Sequence, residues 1–178
     1  MVQDLWYALR VKPRWESVVA ANLRCKGYEP FVPIYRVSRR WSDRVKTIDM
    51  PLFSGYLFCR FDLRARLPIL ITPGVNFIVG AGKIPEPISD AEIEAIRAVV
   101  QCRLAYEPHP YVTIGQRVRV ECGALRGLTG IVTEVRNRSR LIVSVNLLMR
   151  SVSVEIDPTW VQPIAEPLRD AWTVSRCA

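Results

Sequence analysis

Hydrophobic and polar positions alternate in short runs along most of this chain, and the period of the alternation changes in a defined order. Residues 5–11 predict a strand, because aromatic and β-branched side chains are frequent there. Residues 13–26 predict a helix, since apolar residues fall at i, i+3, i+4 and i+8 on one face: Trp15, Val18, Val19 and Leu23. Gly27 then occupies the position of a helix C-cap glycine.

Extended segments and helices alternate over the next part of the chain. Three extended segments follow the first helix: 31–41, 50–61 and 75–79. Residues 68–72 predict one short turn of helix. Ser89 and Glu92 form a capping box that opens another helix. The apolar face of that helix holds Ile93, Ile96 and Val100. Strands mixed with packed helices in this order predict an α+β sandwich, an antiparallel sheet flanked by helices.

The last third of the chain is dominated by strand-like alternation. Residues 118–132 form an alternating strand, a loop with Gly123, Gly127 and Gly130, and a second alternating strand. Residues 140–156 continue with β-branched residues at every second position. Four or five short strands in about 55 residues predict a small closed barrel, which leaves no exposed strand edges. An ordinary hairpin with a glycine-rich loop is the simpler alternative.

Between these parts lies a short segment with two prolines. Pro108 and Pro110 make residues 107–110 a stiff, polar joint between domains. The sequence therefore predicts an N-terminal domain at 1–105, a linker at 106–110, a barrel domain at 111–165 and a flexible tail at 166–178.

Composition narrows the class of protein. The chain has 178 residues, of which 49% are hydrophobic and 24% charged, as in globular proteins. No apolar run approaches the roughly 20 residues of a membrane-spanning helix, and no signal peptide is recognisable. The five cysteines are odd in number and lack C-x-x-C spacing, so neither a metal site nor a disulfide framework is expected. We expect a protein of the reducing cytoplasm.

The net charge of +8 is concentrated in the first part of the chain. Residues 1–105 carry 16 Lys and Arg against 10 Asp and Glu. Such an excess attracts polyanions without selecting a sequence. An enzyme is not expected, because no P-loop, dinucleotide fingerprint or carboxylate pair is evident, and the single histidine, His109, lies between prolines. No cofactor is expected either.

Several short motifs resemble the NusG family of transcription elongation factors. The glycine-rich run at 118–132 resembles the KOW motif of that family. Landmarks of the family's N-terminal domain occur in order ahead of it, at Trp6 and Tyr7 and at residues 51–58, 73–80 and 87–90. The run at 51–58 is most similar to the specialised, RfaH-like antitermination paralogs. The resemblance covers nearly the whole chain and implies an N-terminal domain of the NusG type followed by a KOW barrel.

The resemblance also implies binding surfaces. In the family, an apolar patch of the N-terminal domain binds the clamp helices of the largest RNA polymerase subunit. The residues that match it by position are Phe53, Tyr56, Phe58, Ile93 and Ile96. The alternative is that these aromatic and aliphatic side chains form the core. Strand alternation sends Tyr56 and Phe58 to one face and Leu57 and Cys59 to the other, so that at least one set can be core while the other is exposed.

Three further surfaces are candidates. Lys12, Arg14 and Thr72 match positions at which RfaH-like proteins contact the displaced DNA strand. The basic stretch with Arg36, Arg39 and Arg40 is either an arm for nucleic acid or a solvated hairpin tip. In the KOW module, Leu147, Leu148 and Arg150 match a loop that docks on a small-subunit ribosomal protein. Alternatively, the two leucines plug the end of the barrel.

The function implied is that of a bacterial transcription elongation and antitermination factor that reduces pausing or termination. We expect a monomer that binds RNA polymerase and non-template DNA and recruits either a ribosomal small-subunit protein or Rho, with no membrane partner. The dense β-branched alternation predicts that the C-terminal domain is a barrel and not a long helix. The alternative function is an RNA-binding protein of the ribosomal KOW type.

Overall fold

The structure is a computed structural model that describes residues 4–40, 45–82, 84–110, 116–135 and 138–164. The N-terminal part contains these strands and helices in chain order: β1 (Leu5–Val11), α1 (Glu16–Cys25), β2 (Glu29–Phe31), β3 (Ile34–Arg40), β4 (Val45–Pro51), β5 (Tyr56–Phe61), α2 (Leu67–Leu70), β6 (Val75–Ile78), β7 (Gly80–Ala81), β8 (Ile84–Pro85) and α3 (Asp90–Gln101). The C-terminal part contains β9 (Tyr106–Pro110), β10 (Gln116–Val120), β11 (Thr129–Val135), β12 (Arg138–Val145), β13 (Arg150–Glu155) and β14 (Val161–Pro163).

The N-terminal sheet is antiparallel, with strand order β2-β5-β1-β6, and it is covered on both faces. Alternation along β1 sends Tyr7 and Leu9 to one face, where they share a cluster with residues of α1 and α2. Trp6 and Ala8 point to the other face and share a cluster with residues of α3. The predicted α+β sandwich is confirmed.

Helix α1 is rotated slightly from the predicted face. Its buried residues are Glu16, Val19, Ala20 and Leu23. Trp15 and Val18 are instead 41% and 50% exposed, because they lie at the edge of that buried stripe. The predicted end is confirmed: Gly27 has a φ of +84°, and the N–H groups of Gly27 and Tyr28 donate to the carbonyls of Arg24 and Leu23. This is a Schellman motif, in which a left-handed glycine closes the helix.

Helix α3 begins at the predicted capping box. The Ser89 Oγ accepts a hydrogen bond from the Glu92 N–H and also contacts the Glu92 carboxylate, both at 3.2 Å. Ile93 and Ile96 are completely buried, as the helical pattern predicts, together with Val99.

Strands β3 and β4 form a separate two-stranded hairpin. Every residue of Ile34–Arg40 has a partner in Val45–Pro51. Within the described residues, neither strand joins the four-stranded sheet. The hairpin is attached at its base, where the Leu52 N–H donates to the Pro33 carbonyl at 2.8 Å. The basic stretch therefore belongs to this hairpin, which we call the arm, and residues 41–44 between its strands lie outside the described residues.

The C-terminal part is one antiparallel sheet with strand order β14-β10-β11-β12-β13-β9. The predicted strands are confirmed. The closed barrel is not reproduced in the hydrogen bonding, because β14 and β9 do not pair with each other among the described residues. The predicted tail at 166–178 lies outside the described residues.

The three glycines of the 118–132 run have two different roles. Gly123 and Gly127 adopt positive φ values of +78° and +87°, which shape the loop between β10 and β11. Gly130 lies within β11, where a Cβ atom would stand 2.5 Å from the carbonyl oxygen of Ile142 on β12. Gly130 is therefore required for close approach of two strands.

The segment predicted as a linker, 106–110, is strand β9 and pairs with β13. The Glu155 N–H donates to the Ala105 carbonyl at 3.0 Å, so odd-numbered residues of this segment direct their polar backbone groups at β13. Pro108 and Pro110 fall at the outward positions of an edge strand, where no N–H is needed. The two prolines that predicted a linker are therefore compatible with an edge strand.

The two parts share one hydrophobic cluster. It contains Ile93 and Ile96 of α3 together with Val143 and Leu148 of the C-terminal sheet. Helix α3 also contacts β12 and the 3₁₀ turn at Gly123–Leu125. The described residues of the two parts are therefore packed together.

Replacing Gly130 by alanine tests the strand approach. We expect Gly130→Ala to lower the free energy of unfolding by about 1–3 kcal/mol, because the added methyl group meets backbone that cannot rotate away. Chemical denaturation measures the change. Ala124→Ser, at an exposed position of the neighbouring turn, is the control and should change stability by less than about 0.5 kcal/mol. Equal stability of the two variants would contradict the assigned role of Gly130.

Candidate functional site

A tight turn ahead of β5 positions the first two residues of the predicted polymerase-binding patch. The Tyr56 N–H donates to the Phe53 carbonyl at 3.0 Å, and Gly55 has a φ of +79°. This combination is typical of a type II turn, which needs a left-handed residue at its third position. The Gly55 carbonyl accepts a hydrogen bond from the Val11 N–H, so the turn is fixed to β1.

A buried carboxylate holds the same turn from the other side. Glu16 of α1 is 1% exposed, and its Oε1 accepts a hydrogen bond of 2.6 Å from the Gly55 N–H. Charge-assisted hydrogen bonds of this kind are stronger than neutral ones. The sequence pattern did not single out Glu16 as a functional or structural residue. The available signal was its position three residues before Val19, which places a charged side chain on the buried stripe of α1.

The five predicted residues lie close together, on the α3 face of the N-terminal sheet. We call Phe53, Tyr56, Phe58, Ile93 and Ile96 the apolar face. The Phe53 and Phe58 rings meet edge to face, with centroids 5.8 Å apart. Position in the sequence pattern thus identified five residues that belong to one cluster in the structure.

The expectation that this surface is exposed is wrong for the structure described. Phe53 is 3% exposed, and Phe58, Ile93 and Ile96 are completely buried. Only Tyr56 is half-buried. The core alternative therefore describes Phe53, Phe58, Ile93 and Ile96 in this structure, because they lie in one buried cluster with residues of α3 and of the C-terminal sheet.

Hydrogen bonds also join the N-terminal and C-terminal parts. The Glu92 Oε1 accepts hydrogen bonds from the Asn146 side-chain amide at 2.9 Å and from the Asn146 N–H at 3.2 Å. A second link lies at the base of the arm, where the Tyr106 hydroxyl donates to the Ile34 carbonyl at 2.8 Å. The sequence carried no signal for either contact, since each joins residues more than 50 positions apart.

The predicted partner-binding loop begins at Asn146. A 3₁₀ turn at Asn146–Leu148 joins β12 to β13, as expected. Leu148 is 7% exposed and Leu147 packs on the shared cluster, whereas Arg150 is exposed. The alternative of a core role therefore describes Leu148 in this structure, and the loop lies against the N-terminal part and not in open solvent.

One rim of the apolar face stays open. Cross-strand pairing places Phe77 of β6 beside Arg10 of β1 and Arg10 beside Tyr56 of β5. The Arg10 guanidinium carbon lies 4.6 Å from the Tyr56 ring centroid, a cation–π contact. Phe77 is 53% exposed. This row is the accessible border of the apolar face.

The predicted nucleic-acid residues divide into exposed and buried ones. Lys12 and Arg14 are exposed in the turn after β1. Thr72 is only 1% exposed: its Oγ1 donates to the Pro68 carbonyl at 2.9 Å and accepts a hydrogen bond of 2.8 Å from Lys26. A direct contact between Thr72 and DNA is therefore not possible in this structure, and the hydroxyl serves to fix the turn that follows α2.

The arm carries the remaining predicted residues. The Arg36 side chain is 83% exposed and lies 3.5 Å from the Asp49 carboxylate across the hairpin. Arg39 and Arg40 belong to β3, and their side chains lie outside what the structure describes. The separate two-stranded hairpin is compatible with both alternatives, an arm for nucleic acid and a solvated hairpin tip.

Groups suited to catalysis are not assembled in the described residues. Burial, followed by the nearby Glu29 carboxylate, raises the pKa of the Cys59 thiol to about 12, so it is no nucleophile at neutral pH. No cluster of three or more His, Cys, Asp or Glu suited to a metal occurs in the part of the chain that the structure covers. None of the helices described there is long and apolar enough to span a membrane.

Comparison with known proteins gives a consistent result. A family model described as transcription termination factor nusG matches residues 4–97. The transcription termination/antitermination protein NusG of Thermus thermophilus is 30% identical over 174 residues, covering 85% of this chain and 94% of that protein. The protein of the same name from Escherichia coli K12 is 30% identical over 172 residues, covering 88% and 94%.

A solved structure that concerns domain interaction in Thermotoga maritima NusG is also similar. It superposes with a TM-score of 0.57 at 21% identity, covering 92% of this chain and 98% of that chain. At this identity the similarity supports the fold alone.

The structural assignment of Thr72 makes a prediction. Thr72→Val keeps the shape of the side chain but removes the hydroxyl that bridges Lys26 and Pro68. We expect the free energy of unfolding to fall by about 1 kcal/mol, the usual contribution of such a hydrogen bond. Thr72→Ser retains the hydroxyl and should stay closer to the original stability in the same thermal unfolding experiment. A Thr72→Val protein as stable as the parent would contradict the assignment.

Proposed function

This chain belongs to the NusG family of transcription termination and antitermination proteins, and from this premise we propose how its surfaces serve that function. It is a transcription elongation and antitermination factor and not an enzyme, and proteins of its family interact with RNA polymerase. The alternative of a ribosomal KOW protein leaves residues 4–97 without a role. The proposal concerns which residues bind which partner, and in which conformation.

The apolar face binds the clamp helices of the largest polymerase subunit. Aromatic residues bury large areas and commonly anchor interfaces, and this face offers Phe53, Tyr56 and Phe58 on one side of the sheet. Lys12, Arg14 and the arm with Arg36, Arg39 and Arg40 lie along the non-template strand. The factor closes the clamp and steadies the upstream bubble in the cytoplasm, so that pausing falls.

The observation that carries the proposal is that the apolar face and residues of the C-terminal sheet belong to one buried cluster, in which α3 contacts β12. One surface cannot hold both the C-terminal sheet and the clamp helices. Polymerase binding therefore requires the two parts to separate, and the open form is the binding-competent state. A partner that binds only the open form shifts the population towards it by its own binding free energy.

The partner-binding loop of the C-terminal part also becomes accessible when the two parts separate. Leu147, Leu148 and Arg150 dock on a ribosomal small-subunit protein or on Rho. Two of these residues pack on the shared cluster and Asn146 is bonded to Glu92, so the loop becomes available when the parts separate. Recruitment of the second partner is thus favoured once polymerase is bound. In the described residues the C-terminal part consists of strands and short 3₁₀ turns, and we propose that it masks the apolar face in this form.

Two single substitutions with opposite expected effects test this function. Tyr56→Ala removes the half-buried ring at the open rim of the apolar face and should weaken binding to RNA polymerase by about tenfold or more, as loss of an interface anchor does. Asn146→Ala removes the side-chain hydrogen bond to Glu92, although the backbone N–H of residue 146 can still donate to that carboxylate. It should strengthen binding severalfold, because the closed form loses stability. Affinity for purified polymerase, measured by a fluorescence titration, distinguishes them.

The control is Ser144→Ala. It removes a hydrogen bond of 2.8 Å to Ser151 within the C-terminal sheet. Strand alternation directs Ser144 away from the side on which Val143 and Val145 join the shared cluster. It should leave polymerase affinity unchanged. If Asn146→Ala behaved as Ser144→Ala does, masking would be unsupported; if Tyr56→Ala bound polymerase normally, the apolar face would not be the binding surface. Circular dichroism establishes that each variant is folded.

A further inference from the structure

Two turns of the same type lie back to back beside α1. In the first, the Trp15 N–H donates to the Lys12 carbonyl at 3.0 Å around Pro13 and Arg14. In the second, the Val75 N–H donates to the Thr72 carbonyl at 3.0 Å around Pro73 and Gly74. The third residues, Arg14 and Gly74, have φ values of +70° and +94°. Proline in second place and a left-handed residue in third place are typical of type II turns.

The first turn has an arginine where the second has glycine. A left-handed backbone is strained for any residue with a Cβ atom, and glycine is the usual solution. Residues held in such conformations persist where the surroundings impose them and are frequent at ligand clamps. Arg14 is exposed, so burial of its side chain does not explain the choice.

The next residue breaks a second local rule. Trp15 is the N-cap of α1 and makes no side-chain capping hydrogen bond. Ser, Thr, Asp and Asn are strongly preferred at this position because their oxygen atoms accept a backbone N–H. Two adjacent positions therefore carry residues that the turn and the helix do not favour, and each leaves its side chain exposed.

The Trp15 ring is held in a fixed position. A Cβ atom at Gly74 would stand 2.9 Å from the Trp15 Cε3 and 2.8 Å from the Val19 Cγ2, so only glycine lets the ring lie against this backbone. The Lys12 N–H donates to the Gly74 carbonyl at 2.9 Å and joins the two turns. Thr72, buried below, fixes the second turn through its hydroxyl. The ring is nonetheless 41% exposed.

The charge around the ring is positive. The Lys12 Nζ lies 5.3 Å from the centroid of the Trp15 ring, and Arg14 is exposed next to it. The nearest acidic residue in sequence, Glu16, is buried and directs its carboxylate inward at the Gly55 N–H. An aromatic ring held in place beside cationic residues is a combination by which proteins bind single-stranded nucleic acid, with bases stacked on rings and phosphates near cations.

We propose that Trp15 is a stacking platform for one base of a single nucleic-acid strand, with Lys12 and Arg14 on the adjoining phosphates. The inference rests on the proposed contact of Lys12 and Arg14 with the non-template strand and adds the residue that contacts a base. It explains together why an arginine occupies the strained position, why a tryptophan occupies the cap, and why Gly74 lies beneath the ring. Stacking tolerates every base, so this platform adds affinity with weak sequence preference.

The test compares two strands that differ only in their bases. The intact protein is titrated with a single-stranded oligothymidylate of about 10 nucleotides and with an abasic strand of equal length and charge. We expect the base-bearing strand to bind at least about fivefold more tightly. Trp15→Ala should abolish that preference, whereas Trp15→Phe should keep most of it. The fluorescence difference between the parent and Trp15→Phe isolates the signal of Trp15, which stacking should quench.

Arg14→Gly separates binding from stability. Glycine relieves the strained backbone, so the melting temperature should rise by about 2–4 °C. The same variant should bind the base-bearing and the abasic strand more weakly by equal factors and reduce the dependence of binding on salt, because it removes a phosphate contact. A variant that is both more stable and a weaker binder is the result that folding alone would not produce.

Three outcomes would overturn the inference. The parent protein could bind both strands equally, which would assign the exposed ring to a protein contact; Trp15→Ala could retain the preference for bases; or Arg14→Gly could bind unchanged. A parallel titration with a single-stranded oligouridylate shows whether RNA bases also stack on Trp15. Trp15→Ala should still bind purified RNA polymerase through the apolar face, so failure of the platform and failure of the polymerase assignment are distinguishable.

Discussion

Burial of the second face of the N-terminal sheet is the interaction on which the rest of this structure depends. Tyr7 and Leu9 are covered by α1 and α2 of their own domain. Trp6, Ala8 and Phe58 on the opposite side are covered by α3 and then by the C-terminal sheet, within one cluster. Apolar area removed from water contributes about 25 cal/mol per Å². Any partner that takes the place of the C-terminal sheet must therefore offer a comparable apolar surface.

Under the proposed function, this constraint would couple two binding events that lie on different domains. The apolar face and the loop at Asn146–Leu148 contact the same interface in the closed form. By linkage, a ligand that opens the interface for one surface raises the affinity of the other by the same factor. A polymerase-bound factor would then recruit its second partner more readily than the free protein does. No helical form of the C-terminal part is needed for this coupling.

Local rules are obeyed at structural positions and broken at one exposed corner. Gly27, Ser89 and Gly74 are the residues that a Schellman motif, a capping box and a type II turn prefer, and each satisfies its backbone there. Arg14 and Trp15 are not what a type II turn and an N-cap prefer. Since local preference does not account for them, their side chains are the natural candidates for an external contact. The corner is distinct from the apolar face, so the two surfaces can act at once.

The sequence by itself determined the elements and their order. The helical period, the capping box, Gly27 and the alternation of β-branched residues predicted both helices, the arm and the C-terminal strands, because these are local properties of backbone and side chain. Position also identified the five residues of the apolar face. Only the tertiary structure decided that this face is covered, that Thr72 is buried, and that residues 106–110 form an edge strand. Each of these depends on contacts between segments far apart in sequence, such as Glu92 with Asn146, and no local pattern encodes them.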